Sequence, residues 1–106
     1  KLVENFVFSE LHKRWPMPGQ VRYWRSKNGA EVDFVLEPQP GRLVAIEVKA
    51  GARAKLSRSA RSFLQAYQPS ALWLVHQGEP AEAVEGETTV RWVPLTDLPE
   101  ALGGLI

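Results

Sequence analysis

The sequence predicts a single α/β domain, a mixed β-sheet of about five strands flanked by helices. Three observations predict it. Residues 43–49, 57–68 and 71–75 read as apolar strand, amphipathic helix and apolar strand, the length of a βαβ unit whose strands lie parallel. Residues 21–27 and 30–37, rich in aromatic and β-branched side chains, flank Asn28-Gly29, the strongest short-range signal for an antiparallel hairpin. Finally, 106 residues suffice for one domain and are too few for two ordinary ones.

Taken in order, residues 2–14 carry apolar side chains at 2, 3, 6, 7, 8 and 11, the spacing of a helix with a wide apolar stripe. Pro16 and Pro18-Gly19 end it. The hairpin follows, with both residues of the Asn28-Gly29 turn expected at positive φ. Pro38, Pro40 and Gly41 turn the chain into the strand at 43–49, and residues 51–55 form a loop. In the helix at 57–68, Ala60, Phe63, Leu64 and Tyr67 form the core stripe, and Pro69-Ser70 closes it. Residues 71–75 have the continuous apolar character of a strand buried on both faces. The polar stretch 77–87 reads as an exposed loop and 88–95 as a further strand. A short C-terminal helix then starts with Thr96 or Asp97 as its N-cap.

Composition narrows the function. There is no cysteine, which removes disulfides and thiolate metal sites and fits a cytoplasmic protein. No run is apolar and long enough for a membrane helix, and no signal peptide is visible. The chain opens on Lys1 already in a helical pattern, as expected of a piece of a longer protein. A net charge of +1 gives no bulk argument for nucleic-acid binding, although 22–27 and 53–61 are locally basic and 79–87 acidic.

Strand alternation brings the chemistry forward. In 44–49, Val44, Ile46 and Val48 point one way while Ala45, Glu47 and Lys49 point the other. In 30–37, Val32, Phe34 and Leu36 share a face opposite Glu31, Asp33 and Val35. If the two strands pair, Asp33, Glu47 and Lys49 gather on one side. Magnesium takes one or two carboxylates and leaves positions for water and phosphate, and a neighbouring lysine can assist the attacking water. Glu-x-Lys alone is common on half-exposed strands. Asp33 between Val32 and Phe34 is less ordinary, because Asp is poor in strands and costly to bury unpaired.

These same residues carry a resemblance. The run Asn28-Gly29-Ala30-Glu31-Val32-Asp33-Phe34-Val35-Leu36, followed by Ile46-Glu47-Val48-Lys49-Ala50-Gly51, resembles the PD-(D/E)XK nuclease signature. With Val3-Glu4-Asn5-Phe6-Val7 and Tyr23-Trp24-Arg25, it resembles more closely the C-terminal domain of unknown function of prokaryotic AAA-type ATPases. The resemblance covers residues 2 to about 75, and Val32 stands where the superfamily name has proline. It implies a restriction-endonuclease-like core in which Asp33, Glu47 and the main-chain carbonyl of Val48 hold Mg2+ or Mn2+, with Glu4 a further ligand. It implies that Lys49 is the catalytic lysine, DNA the partner and an upstream ATPase domain the other part of the parent chain. Glu4 shares a helix face with Phe8 and Leu11 and is expected against the sheet. Gln65 and Tyr67 lack the spacing of the superfamily's Gln-x-x-x-Tyr motif, and no P-loop occurs.

Among the basic residues, Arg22, Arg25, Lys27, Arg53, Lys55, Arg58 and Arg61 are placed to line a phosphate path. Arg25 and Lys27, on one strand face, and Arg58 and Arg61, on one helix face, are the better candidates for nucleic-acid contacts. Trp24, Trp73 and Trp92 are expected in the core, and His12 and His76, without ligand spacing, as structural or surface residues. Two functions follow: a Mg-dependent DNA endonuclease domain, or an inactive nuclease-fold module that binds nucleic acid or protein and regulates the ATPase. Carboxylates that are buried or salt-bridged and lack metal affinity would favour the second.

Overall fold

The structure, a computed structural model, describes residues 2–51 and 55–105. The remaining loop positions, Arg53 among them, fall outside the described residues, and with them part of the loop expected at 51–55. Helix α1 (Leu2–Arg14) is followed by strands β1 (Arg22–Arg25), β2 (Glu31–Gln39) and β3 (Arg42–Val48), then by helix α2 (Arg58–Tyr67). Strands β4 (Ala71–His76), β5 (Ala81–Glu85) and β6 (Thr88–Pro94) come next, then a 3₁₀ turn (Leu95–Asp97) and helix α3 (Leu98–Gly103).

The described strands form one mixed sheet in the order β1-β2-β3-β4-β6-β5. β3 and β4 are parallel, as the βαβ reading requires, and β6 lies parallel to β4. β1–β2, β2–β3 and β5–β6 are antiparallel. This is the expected architecture with six strands in place of about five. The additional strand is β5, within the stretch expected to be a loop. Its sequence, Ala-Glu-Ala-Val-Glu, is exposed along nearly its whole length and shows no buried face to reveal it.

Two apolar clusters sandwich the sheet. On one face Val7 and Leu11 of α1 and Leu98 and Leu102 of α3 pack on Leu36, Val44, Ile46, Trp73, Val75 and Val93. On the other, Ala60 and Phe63 of α2 pack on Val32, Val35, Ala45, Leu72, Leu74 and Val90. β4 supplies both faces, which explains its uninterrupted apolar sequence. Trp73 is buried, while Trp24 and Trp92 are half-buried against the α2-side cluster.

Several expectations are corrected. The apolar stripe of α1 is narrower than its sequence suggests: Val7 and Leu11 are buried, whereas Leu2, Phe6 and Phe8 remain exposed. Glu10 is buried instead, taken up by Lys13 at 2.8 Å and Arg14 at 3.3 Å, and Arg14 also reaches the Pro99 carbonyl, tying α1 to α3. At the hairpin, only Gly29 has positive φ (+85°). Its N–H bonds to the Ser26 carbonyl, and the Ser26 N–H to the Ala30 carbonyl, a three-residue connection with glycine in the left-handed position in place of the two-residue turn. Tyr67 is half-exposed, its hydroxyl accepting from the Trp24 indole at 3.1 Å. Asp97 stands at the N-cap position of α3, as one of the two expected residues, but makes no side-chain capping bond; a 3₁₀ turn leads into that helix.

Candidate active site

The site is built on a fault in the sheet. Arg22 pairs with Val35 and Trp24 with Val32, so Tyr23 of β1 faces two residues of β2, Asp33 and Phe34. This β-bulge breaks the alternation on which the sequence reading relied. Val32 and Val35 both enter the α2-side cluster, so Val32 does not share the face of Phe34 and Leu36. Asp33 is freed from the regular pleat, and its Oδ2 accepts a 2.7 Å hydrogen bond from the Val48 N–H across the β2–β3 seam.

Glu47 follows the expected alternation. It lies on the α2 side, 6% exposed, where its two oxygens accept from the Ser57 hydroxyl at 3.1 and 3.2 Å. Ser57 is also the N-cap of α2, its Oγ accepting from the Ala60 N–H at 2.9 Å. One hydroxyl thus fixes both the start of the helix and the orientation of the carboxylate. The Lys49 ammonium stands 3.2 Å from Glu47 Oε2, as two side chains of one strand face can.

The electrostatics link the second carboxylate to this pair. Burial, the largest influence, raises the Asp33 carboxyl above its ordinary 3.8. The Val48 hydrogen bond opposes that, the charges of Glu4 and Glu31 add to it, and Lys49 opposes it. Lys49 therefore contacts Glu47 directly and attracts Asp33 through its field. Glu4 acts on Asp33 through its charge from the exposed first turn of α1, and is not packed against the sheet as expected. The Val48 carbonyl belongs to the same strand segment.

Among the described residues, no group of three or more His, Cys, Asp or Glu side chains is placed to hold a metal ion. An all-protein cage is therefore not what these residues offer. The donors that are present, two carboxylates and a backbone carbonyl, are hard oxygens of the kind Mg2+ and Mn2+ prefer, and one or two carboxylates are the usual protein share of a magnesium site. In the arrangement described, the Lys49 ammonium competes for Glu47.

The basic candidates differ in what already holds them. Arg25 is ion-paired with Glu31 at 2.8 Å and Arg61 with Glu85 at 3.7 Å. Lys27 lies in the hairpin turn beyond β1, so it does not share a strand face with Arg25. Arg58 opens α2 and lines a groove of about 530 Å3 with Ser26, Asn28, Ser59 and Ser62. The sequence reading missed Ser57 and the Val48 N–H. Ser57 had a signal, a serine just before an amphipathic helix; the backbone donor had none.

The fold is an α/β domain that carries Asp33 and the Glu47–Lys49 pair near one end of its central strands. A family model described as a domain of unknown function (DUF4143) matches residues 1–98, and the chain belongs to that family. This agrees with the expected resemblance to the C-terminal domain of AAA-type ATPases in general and says nothing about nuclease chemistry. No curated protein matches the chain. Among the described residues, no helix is long and apolar enough to cross a membrane.

Proposed function

We propose that this domain is a divalent-cation-dependent DNA endonuclease of the PD-(D/E)XK type, acting beside an upstream ATPase domain of the same parent chain. The observation that supports the reading is the contact of Lys49 with Glu47 on either side of Val48, whose N–H holds Asp33. Asp33, Glu47 and the Val48 carbonyl would hold Mg2+ or Mn2+, with Glu4 contributing charge from α1. The cation, when bound, acidifies a coordinated water and stabilises the charge that builds on the phosphate. The Ser57 hydroxyl holds Glu47 in one orientation, and the Val48 N–H does the same for Asp33, so neither must be ordered during the reaction. Lys49 donates to the attacking water or a phosphate oxygen and offsets the developing negative charge. Of the four preferred basic candidates, Arg58 and Lys27 could meet DNA phosphates without first breaking an ion pair among the described residues, whereas Arg25 and Arg61 could not.

A second reading has its own support. Glu47 is already satisfied by Ser57 and Lys49, the condition expected of an inactive module that keeps the fold for binding. Calorimetry with Mn2+ on the wild type and on Glu47→Ala separates the two. The nuclease reading expects binding heat that Glu47→Ala abolishes, together with cleavage of junction, flap or linear DNA. Equal heats from both proteins and intact DNA would leave the binding module.

A further inference from the structure

His76, the last residue of β4, is 4% exposed. Its Nε2 lies 3.0 Å from the Glu79 carbonyl oxygen. A carbonyl only accepts, so the ring proton sits on Nε2 and Nδ1 keeps a bare lone pair. That nitrogen is buried and has no hydrogen-bond partner. Buried polar atoms are almost always paired, so an orphan of this kind calls for a physical reason.

Lys49 has the complementary imbalance. An ammonium has three donors, and among the described residues Glu47 is the ion-pair partner of this one. In the parallel ladder, Glu47 pairs with Leu74 and Val48 with Val75. Past the last paired residues the Lys49 N–H bonds to the Val75 carbonyl at 2.8 Å, whereas the Gln77 N–H bonds to the Gly51 carbonyl at 2.9 Å and not to that of Lys49. Lys49 and His76 are therefore the residues that follow the last paired rung, joined there by the Lys49 N–H alone. Alternation puts them on the face of Glu47 and Leu74. A surplus donor and an orphaned acceptor are neighbours on one face of adjacent strands.

We infer that His76 is a positioning residue for Lys49, its Nδ1 receiving the ammonium when Glu47 gives it up. Lys49 then has two stations. On Glu47 it neutralises the carboxylate; on His76 it leaves those oxygens open while staying beside the β3–β4 seam. The Glu79 carbonyl makes the second station possible, because it holds the proton on Nε2 and keeps Nδ1 an acceptor. The inference deepens the proposed reading of the site, yet its test requires neither metal nor DNA.

Long-range 1H–15N correlation spectra of the His76 ring supply that test. In the wild type the proton should be on Nε2, with Nδ1 at the position of a bare lone pair. Glu47→Gln keeps an oxygen for Ser57 but removes the charge that holds Lys49, so the Nδ1 resonance should move upfield as it accepts a hydrogen bond. Adding Lys49→Met to Glu47→Gln should return it to the wild-type position. A proton on Nδ1 in the wild type, or an Nδ1 resonance unmoved in Glu47→Gln, overturns the inference; so does a shift that persists in the double variant. Failure of metal binding or DNA cleavage would touch only the nuclease reading.

Discussion

At Asp33 opposing influences act on one carboxyl, and burial is the largest, so the folded-state value is raised above the ordinary 3.8. A raised acid contributes favourably to folding while it is protonated, below its unfolded-state value. That contribution is lost as pH rises through the folded-state value. Asp33→Asn keeps an oxygen for the Val48 N–H but cannot ionise. The variant should therefore be more stable than the wild type at pH 7, by a margin that shrinks as pH falls through the acid range. Urea denaturation at several pH values checks this; a margin independent of pH would show that the charge is not what folding disfavours there. The identities of Asp33, Glu47 and Lys49 were legible in the sequence because strand alternation and the carboxylate–lysine pattern single them out. How Asp33 is held was not, since a β-bulge leaves no mark in the residue types around it, and the Val48 N–H is a backbone group that every sequence supplies.

The helix α2 is where element and site share a side chain. Ser57 accepts from the Ala60 N–H and donates to Glu47, so Ser57→Ala removes a cap and a carboxylate partner together. Loss of the cap costs about 0.5–2 kcal/mol. The buried Glu47 then keeps Lys49 as its partner among the described residues, so the total should sit in the upper part of that range. Ser57→Asp restores a capping oxygen but sets a second negative charge beside Glu47, so it should recover little. Thermal unfolding of the three proteins measures both effects, and full recovery by Ser57→Asp would mean that the cap alone matters. In the hairpin, Gly29 stands at φ +85° with open space around it, so Gly29→Ala meets no neighbour and its cost is purely conformational, about 1 kcal/mol. Urea titration checks that figure, and a cost near zero would mean that the turn relaxes out of the left-handed conformation. Helix α2 and strands β3 and β4 were readable because each shows a clear apolar period. Strand β5 and the exposed part of α1 were misread for opposite reasons. Ala81–Glu85 pairs through its backbone with no buried face, and Leu2, Phe6 and Phe8 are apolar side chains that this fold leaves uncovered.

At the scale of the whole molecule, one sheet separates two cores that do not meet, yet β3 and β4 contribute side chains to both. Shared strands make the layers a single folding unit, because losing either helix layer would expose one face of the same central ladder. Leu102→Ala, on the α3 side, should cost about 2–5 kcal/mol, and Val90→Ala, on the α2 side, roughly 2 kcal/mol. The two residues lie in separate clusters on opposite faces. Residues without shared partners add, so the double variant should lose the sum of the two within about 0.5 kcal/mol. Both single variants should still unfold in one transition, read alike by tryptophan fluorescence and far-ultraviolet circular dichroism. The tryptophans make this a fair comparison: Trp73 belongs to the α1–α3 side, while Trp24 and Trp92 pack on the α2 side. Two separated transitions in Leu102→Ala, or a double variant far from additive, would mean that the layers fold with different cooperativity than their shared strands imply. One transition would also fix the carboxylate–lysine cluster to the stability of the entire sheet, since Glu47 and Val48 lie in the ladder that both layers depend on and the Lys49 N–H is bonded to its end.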